Sequence, residues 1–444
     1  MHSNYFITMN KRSFAAFIVL FGVSTPILAQ NPQQLSLEQA IQLVSGQNTL
    51  LHQARINQKI KEEEIREKKE QHLPEMDFHA SYARITNLTE FKNGFKEKTV
   101  TQTIPEWADL IASARLPIYA GGAIKQSIKK AKQENQIALL QVEKVGNDVK
   151  IEVIANFLGI FKLMELQKLL KENIIEEKDR LHEVKQFRKH GTVTNNEVLR
   201  AELQLSNTQL KLMSNQRNID VAQHDLQTLL RLPEGEPLSL DTSNLLAHRL
   251  SVGKYESYME MALQKEELRI SAQKEAISIT ERSIVKSNYY PKIALFGSYG
   301  ANYPNYMFFP PNPYVYTLGK IGVEATWSLS NLYKNKTRMH IANQKIEAEK
   351  AEMELLEEEI SDRVFARYSQ FLEVLDKLPV TEKAQIQAAE NYRIVKLKYL
   401  NQLALITDMI DADNSLLEAK FNVVSTRIDT LMKHYELRYA AGLL

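Results

Sequence analysis

The chain has 444 residues, 25% of them charged and 44% hydrophobic, which is material enough for a large buried core. Its 56 basic and 54 acidic side chains nearly cancel, leaving a formal charge of +2, so nothing recommends nucleic acid as a partner. The absence of cysteine excludes disulfides, thiolate chemistry, cysteine-ligated zinc and a lipid-modified N-terminal cysteine. Glycine (15) and proline (13) are scarce and cluster at turns, the composition of a mostly helical protein with long uninterrupted elements.

Residues 1–29 read as a secretory signal peptide. Lys11 and Arg12 form the basic start, 14–23 a short apolar core, and Ala29 precedes the expected cleavage. That core is too short to span a bilayer, and no later segment has the roughly 18 consecutive apolar residues of a transmembrane helix. Any membrane entry must then use β-strands. After a polar linker, Ser36 with Gln39 forms a capping box, and a helix is expected from there to about residue 72, stopping before Pro74. From Met76 the period changes to two: Met76, Phe78, Ala80 and Tyr82 on one side, Asp77, His79, Ser81 and Ala83 on the other. A polar loop is expected over 86–105. A second alternating run then sets Leu110, Ala112, Ala114 and Leu116 against Asp109, Ile111, Ser113 and Arg115.

The next helix is expected over about 123–189. Val142, Val145, Val149, Val153, Phe157, Ile160 and Met164 recur at spacings of three and four, the seam of a helix packed against others. At 1.5 Å per residue this is a rod on the order of 100 Å long. A returning helix covers about 195–230 and ends at a linker, 233–237, rich in proline and glutamate. The same plan then repeats: a helix over about 255–287, alternation over 293–300, an aromatic and proline-rich loop at 303–313, alternation over 315–327, a rod over about 332–400 and a last helix over about 407–439. An offset of about 211 residues relates the two strand-to-helix turns, 116–122 and 327–332, and also the two helix-to-helix turns near Gly191 and Gln402. The expected organisation is therefore a signal peptide (1–29), a first structural repeat (30–237) and a second (238–444). In each repeat the short helices sum to about the rod's own length, so two can lie end to end along one rod in a wall of paired helices.

Four strands of about 9–13 residues fit a tilted crossing of the bilayer. One side of each is apolar; the other carries His79, Asp109, Arg115, Lys320 and Glu324, the alternation of a membrane barrel. Tyr82, Trp107, Tyr299, Tyr316 and Trp327 lie near strand ends, where a membrane aromatic girdle is expected. Four strands cannot close a barrel, so several copies must join.

The order, spacing and twofold repetition of these features resemble the TolC family of outer-membrane efflux proteins over nearly the whole mature chain. The markers are the opening 35–41, the paired turns at 117–122 and 327–332, and the tip turns near Gly191 and Gln402. The resemblance implies a mainly α fold with a small membrane β part: a homotrimer whose chains give four strands each to one 12-stranded β-barrel, continued by a long α-helical barrel in the periplasm. It implies the outer membrane of a Gram-negative bacterium as location. It implies service as the channel of a tripartite efflux or type I secretion system, working with a periplasmic adaptor and an inner-membrane pump. It further implies adaptor contact at the tips Gly191, Thr192, Val193, Gln402 and Leu403. A periplasmic aperture is expected to be lined by Asp408 and Asp411, and an aperture latch to join Tyr399 to Glu197. Two departures stand out: the second tip glycine is Gln402, and an arginine of a second latch is Ala404, opposite Asn196.

Other chemistry fits poorly. The run from Asp411 opens like a calcium loop but has Leu416 and Asn422 where glycine and glutamate are needed. The ten histidines show no HExxH pairing, and Gly319-Lys320 lacks a preceding glycine-rich loop. No enzyme, no metal site and no cofactor is expected. The alternative reading is an exported periplasmic coiled-coil adaptor or scaffold without a pore; two hairpins in tandem with few strands count against it.

Overall fold

The computed structural model describes residues 34–233, 238–243, 245–246, 250–308 and 310–444. The expected signal peptide lies outside the described residues, as does most of the expected linker at 233–237. Among the described residues no helix is long and apolar enough to cross a membrane.

The chain opens with β1 (Gln34–Leu35) and α1 (Leu37–Gln47). The Ser36 hydroxyl accepts from Gln39 N at 3.2 Å while Ser36 N donates to the Gln39 side chain at 2.9 Å, closing the expected capping box. The single helix expected over 36–72 is broken at Asn48, whose backbone is extended (ψ 136°). Its side chain caps a new helix, α2 (Thr49–Glu70), by accepting from Leu50 N and Leu51 N, and its amide donates to Leu229 O at 3.2 Å. A buried asparagine thus exchanges one intrahelical turn for a cap and a bond to a distant helix.

Strands follow: β2 (Glu75–Arg84), β3 (Leu88–Lys92), β4 (Glu97–Thr101) and β5 (Glu106–Ala120). The stretch expected as a polar loop contains the β3–β4 hairpin, turned by Asn93, Gly94 and Phe95, all at positive φ. The rods and their partners come next as α3 (Ala123–Lys189), α4 (Asn195–Leu230), β6 (Ser239–Leu240), α5 (Tyr255–Ala262), α6 (Glu266–Ser287), β7 (Lys292–Tyr303), β8 (Tyr316–Thr326), α7 (Asn331–Leu400) and α8 (Ile406–Ala440). α3 has 67 residues and α7 has 70, so each is about 100 Å long. The helix expected over 255–287 also breaks, at Lys265, into α5 and α6. Pro379 sits inside α7 without ending it.

β2, β5, β7 and β8 form one antiparallel sheet in that order, with a register shift between Pro117 and Tyr119 where β5 bends toward α3. The turn into α3 passes so close to the end of α6 that a Cβ on Gly121 would stand 2.5 Å from Ser287 O; at φ +64° only glycine fits. The turn into α7 is tied to the same helix end, since Trp327 Nε1 donates to Tyr289 O (3.1 Å) and Asn335 donates to Val285 O (2.8 Å). Below the sheet, the predicted seam residues Val149, Val153, Phe157 and Ile160 are buried against α1, α4 and α8, through Val44, Leu226, Leu230 and Ile428. A second cluster joins α5, α6, α7 and α8 through Ala262, Leu268, Ile360, Val364, Phe371 and Leu437. The parallel pair β1–β6 ties residue 35 to residue 240, so segments from early and middle chain share one clamp.

Candidate functional site

The register of the sheet fixes its two faces. Met76, Phe78, Ala80 and Tyr82 of β2 share a face with Leu110, Ala112 and Ala114 of β5, Leu295, Gly297 and Tyr299 of β7, and Ile321 and Val323 of β8. Apart from Arg84 opposite Glu106 at the strand ends, this face is apolar yet uncovered: Phe78 is 72% and Ile321 81% exposed. The opposite face carries Glu75, Asp77, His79, Asp109, Arg115, Lys292, Lys320 and Glu324. Across it Arg115 Nη2 lies 3.2 Å from Glu324 Oε1, which also accepts from the Thr326 hydroxyl. A sheet with its apolar face outward and its charges on the other side suits lipid on one side and water on the other. The edges β2 and β8 are long and unpaired, an arrangement lipid does not tolerate.

The same register sorts the expected girdle. Tyr82 and Tyr299 project from the apolar face near strand ends or at mid-strand, but Trp107, opposite Ala83, and Tyr316, opposite Asn302, share the charged face. Trp327 lies past the end of β8, half exposed, bonded to the α6–β7 turn. Proximity to a strand end grouped these five; parity divides them.

At the far ends of the rods, the two helix-to-helix turns have the same geometry. Gly191 (φ 75°) and Gln402 (φ 62°) both take the left-handed conformation. Thr192 N donates to Phe187 O at 3.0 Å, and Leu403 N donates to Lys398 O at 2.8 Å, the equivalent bond. Gln402 therefore keeps the turn that glycine makes more easily. Thr192 also donates its hydroxyl to Phe187 O, and Val193 packs against buried residues. Leu403 (77% exposed) and Leu405 stand out from the second tip.

Asp408 and Asp411 share an exposed face of α8 three residues apart. Asp408 accepts from Leu405 N at 3.0 Å at the start of the helix. Behind them, Tyr399 is 4% exposed in a cluster with Val184, Val198, Ala201, Ile406 and Met409, its ring edge-on to Phe187. Its hydroxyl makes no hydrogen bond within the chain, to Glu197 or any other group. Burial, followed by the nearby charges of Glu197 and Glu183, pushes that hydroxyl up to about 12. The structure thus brings Tyr399 near Glu197 without bonding them.

A node that sequence reasoning missed lies just beyond. Arg180 of α3 and Asp413 of α8 pair at 2.8 Å, with side chains 5% and 2% exposed. Arg180 also donates to Tyr392 of α7. One turn away, Glu177 accepts from Gln204 and Thr208 of α4, and Gln204 bridges on to Asn414 of α8. Burial pushes the Asp413 carboxyl up despite the guanidinium beside it, and burial likewise raises Glu177 against its hydrogen bonds from Gln204 and Thr208, a third coming from Asn173. The available signal was positional: Asn173, Glu177, Arg180 and Val184 continue the three-and-four spacing of the buried seam, so charges fall where apolar residues belong.

A long helical wall carrying a four-stranded sheet of this kind defines the fold of outer-membrane channels. The chain superposes on CusC (TM-score 0.76, 12% identity, 91% of this chain and 92% of that one). It superposes similarly on VceC of Vibrio cholerae (0.71, 14%, 91% and 96%) and on the open state of the MtrE channel of Neisseria gonorrhoeae (0.72, 17%, 92% and 89%). No curated protein matches by sequence. Residues 40–230 match the family model described as outer membrane efflux protein.

Proposed function

We propose that this protein is the outer-membrane channel of a tripartite efflux or type I secretion system in a Gram-negative bacterium, receiving substrate from a periplasmic adaptor and an inner-membrane pump. The single observation that carries the reading is the sheet: two-faced, uncovered on its apolar side, and open at both edges. Pairing β8 of one copy with β2 of the next satisfies both edges, and three copies give a closed 12-stranded barrel around the charged face. Exposed apolar stripes on the helices support the same assembly. Leu199, Leu203, Leu210 and Met213 line α4, while Val380, Ile386, Ile394 and Leu397 lie exposed along α7, each set available to a neighbouring copy. Within this reading the chain consists of two repeats, 30–237 and 238–444, each giving two strands and one helical hairpin. The tips bearing Gly191, Thr192, Gln402 and Leu403 meet the adaptor, with Leu403 the principal apolar contact. Asp408 and Asp411 from three copies ring the periplasmic aperture, and Tyr399 and Glu197 lie beside it. Of the aromatic girdle, Tyr82 and Tyr299 face lipid.

Fractionation and bilayer recording test this together. The mature protein should sediment with outer membranes as a heat-modifiable trimer and conduct ions in planar bilayers, and Asp408→Asn with Asp411→Asn should change cation selectivity. A soluble monomer without conductance would refute the channel.

A further inference from the structure

Where the helices meet the sheet, the charge is of one sign. From Ala123 to Gln133, α3 holds Lys125, Lys129, Lys130 and Lys132 and no acid. α6 ends with Arg282 and Lys286 and has no acid after Glu281. α7 opens with Lys334, Lys336, Arg338 and Lys345 before its first acid, Glu347. Among the described residues, Lys130 is the one of these cations with a counter-charge, Glu281 at 2.6 Å and Glu134 at 3.7 Å. The end of α2 differs: Lys61, Arg66 and Lys68 are paired with Glu64, Glu63 and Glu67, so charge cancels locally.

A wall one helix thick leaves each helix two free sides. Lys130 and Glu281 meet on one side of the α3–α6 pair. Lys125, Lys129 and Lys132 recur at steps of four and three on the side of α3 away from Lys130, and Arg282 and Lys286, four apart, share a face of α6 turned from Glu281. All five are exposed. Which side this is can be read lower on α3. There Phe157 is fully buried in the cluster that includes α1, while Glu152, Ala155 and Gly159, about half a turn round the helix, are exposed. A second layer such as α1 has room only on the outside of a hollow tube. Lys132 lies about seven full turns above Phe157, so it too faces outward. The lysine stripe and its α6 neighbours therefore look out from the tube directly beneath the uncovered apolar face of the sheet.

We infer that Lys125, Lys129, Lys132, Arg282 and Lys286 form a collar that binds the anionic phospholipid headgroups of the periplasmic leaflet. This rests on the channel reading above and adds a lipid partner at the foot of its barrel. Level, sign and lack of partners all point to that occupant. The headgroup zone extends roughly 5–8 Å beyond the hydrocarbon on each side. Lys125 stands in the first turn of α3 and Lys286 in the last turn of α6, so both fall at that level. Lys129 and Arg282 lie ~6 Å further along their helices, and long basic side chains reach back toward an interface. Lys132 lies ~5 Å beyond Lys129, within the Debye length of about 8–10 Å. Basic clusters beside a membrane segment attract anionic lipid, and phosphates supply the counter-charge that the chain itself withholds here.

The test uses purified trimers in phosphatidylcholine vesicles with a trace of spin-labelled phosphatidylglycerol or spin-labelled phosphatidylcholine. Electron spin resonance reads the fraction of each label immobilised on the protein. At low salt the wild type should hold the anionic label several-fold more strongly than the zwitterionic one, and high salt should bring the two together. The K125Q/K129Q/K132Q/R282Q/K286Q variant should lose the preference while remaining a heat-modifiable, conducting trimer. K178Q/K189Q, toward the far end of α3, should keep it. No preference in the wild type, a preference that high salt leaves intact, a preference kept by the five-site variant, or an equal loss in K178Q/K189Q would overturn the collar. If the five-site variant does not form trimers, the wild-type preference and its salt dependence decide. In each of these cases a conducting wild-type trimer leaves the channel standing. If neither label is immobilised on the wild type, the sheet does not meet lipid and both readings fall.

Discussion

Placing a charge at the centre of β8 is a demanding test of which face meets lipid. Ile321 is the middle residue of an eleven-residue strand, on the apolar face beside Tyr299 and Val323, and is 81% exposed in the single chain. If that face meets hydrocarbon, Ile321 sits near the bilayer midplane, where a lysine costs about 2–4 kcal/mol in a membrane barrel. That corresponds to a roughly 30- to 700-fold shift in the folding equilibrium. Leu318, three residues away, opposes Gly300 on the charged face, where a lysine joins Lys320 in water and costs little. Thr317 lies on the apolar face one residue from the strand end, so a lysine there costs about 0–1 kcal/mol. Urea titration of trimers refolded in vesicles, followed by the loss of heat-modifiable band, should rank the variants Ile321→Lys far below Thr317→Lys, with Leu318→Lys near wild type. Equal losses for Ile321→Lys and Leu318→Lys, or the reverse order, would refute the assignment of faces and with it the barrel.

Three further outcomes follow from the helical part. Gln402→Gly relieves a left-handed residue with its turn bonds kept, and should stabilise the protein by roughly 1 kcal/mol, read as a higher melting temperature, while Gly191→Ala should cost about the same. Phe157→Ala empties a fully buried site in the largest cluster and should destabilise by about 3–5 kcal/mol in denaturant titration. His434 is half-buried between Phe371 and Tyr435, and partial burial, helped by Arg438, holds its imidazole below the usual histidine range. The unfolded chain therefore takes up this proton first, so stability falls as pH drops through and below about 6.5. Melting at pH 7 and pH 5 should show a smaller loss for His434→Phe than for wild type, and identical losses would sink that assignment.

What the sequence disclosed was whatever repeats locally. The period of two over Met76 to Tyr82 and the three-and-four spacing from Val149 to Ile160 both mark buried or lipid-type faces, and both elements form where the spacing places them. Breaks were harder to read. Asn48 and Lys265 interrupt helices whose apolar periodicity continues across the gap; in the case of Asn48 the break is decided by a bond to Leu229, 181 residues away. The β3–β4 hairpin hid because Glu90, Lys92, Glu97 and Lys98 interrupt its apolar residues, although Asn93-Gly94 is a turn signal. The girdle was misgrouped at Trp107 and Tyr316 because being near a strand end says nothing about which side a residue faces; only the register does.

The node at Arg180 marks the limit of such reading and also suggests why it lies where it does. Its partner is 233 residues away, and no local pattern joins them. Yet the two residues occupy seam positions that a purely structural helix would fill with leucine or valine, as Val184 and Ile174 do nearby. An apolar pair there would weld the hairpins by area alone, stable but indifferent to angle. A charged pair in a dry interior is strong only at contact and costly once separated, so it favours one docked position over a range of nearly docked ones.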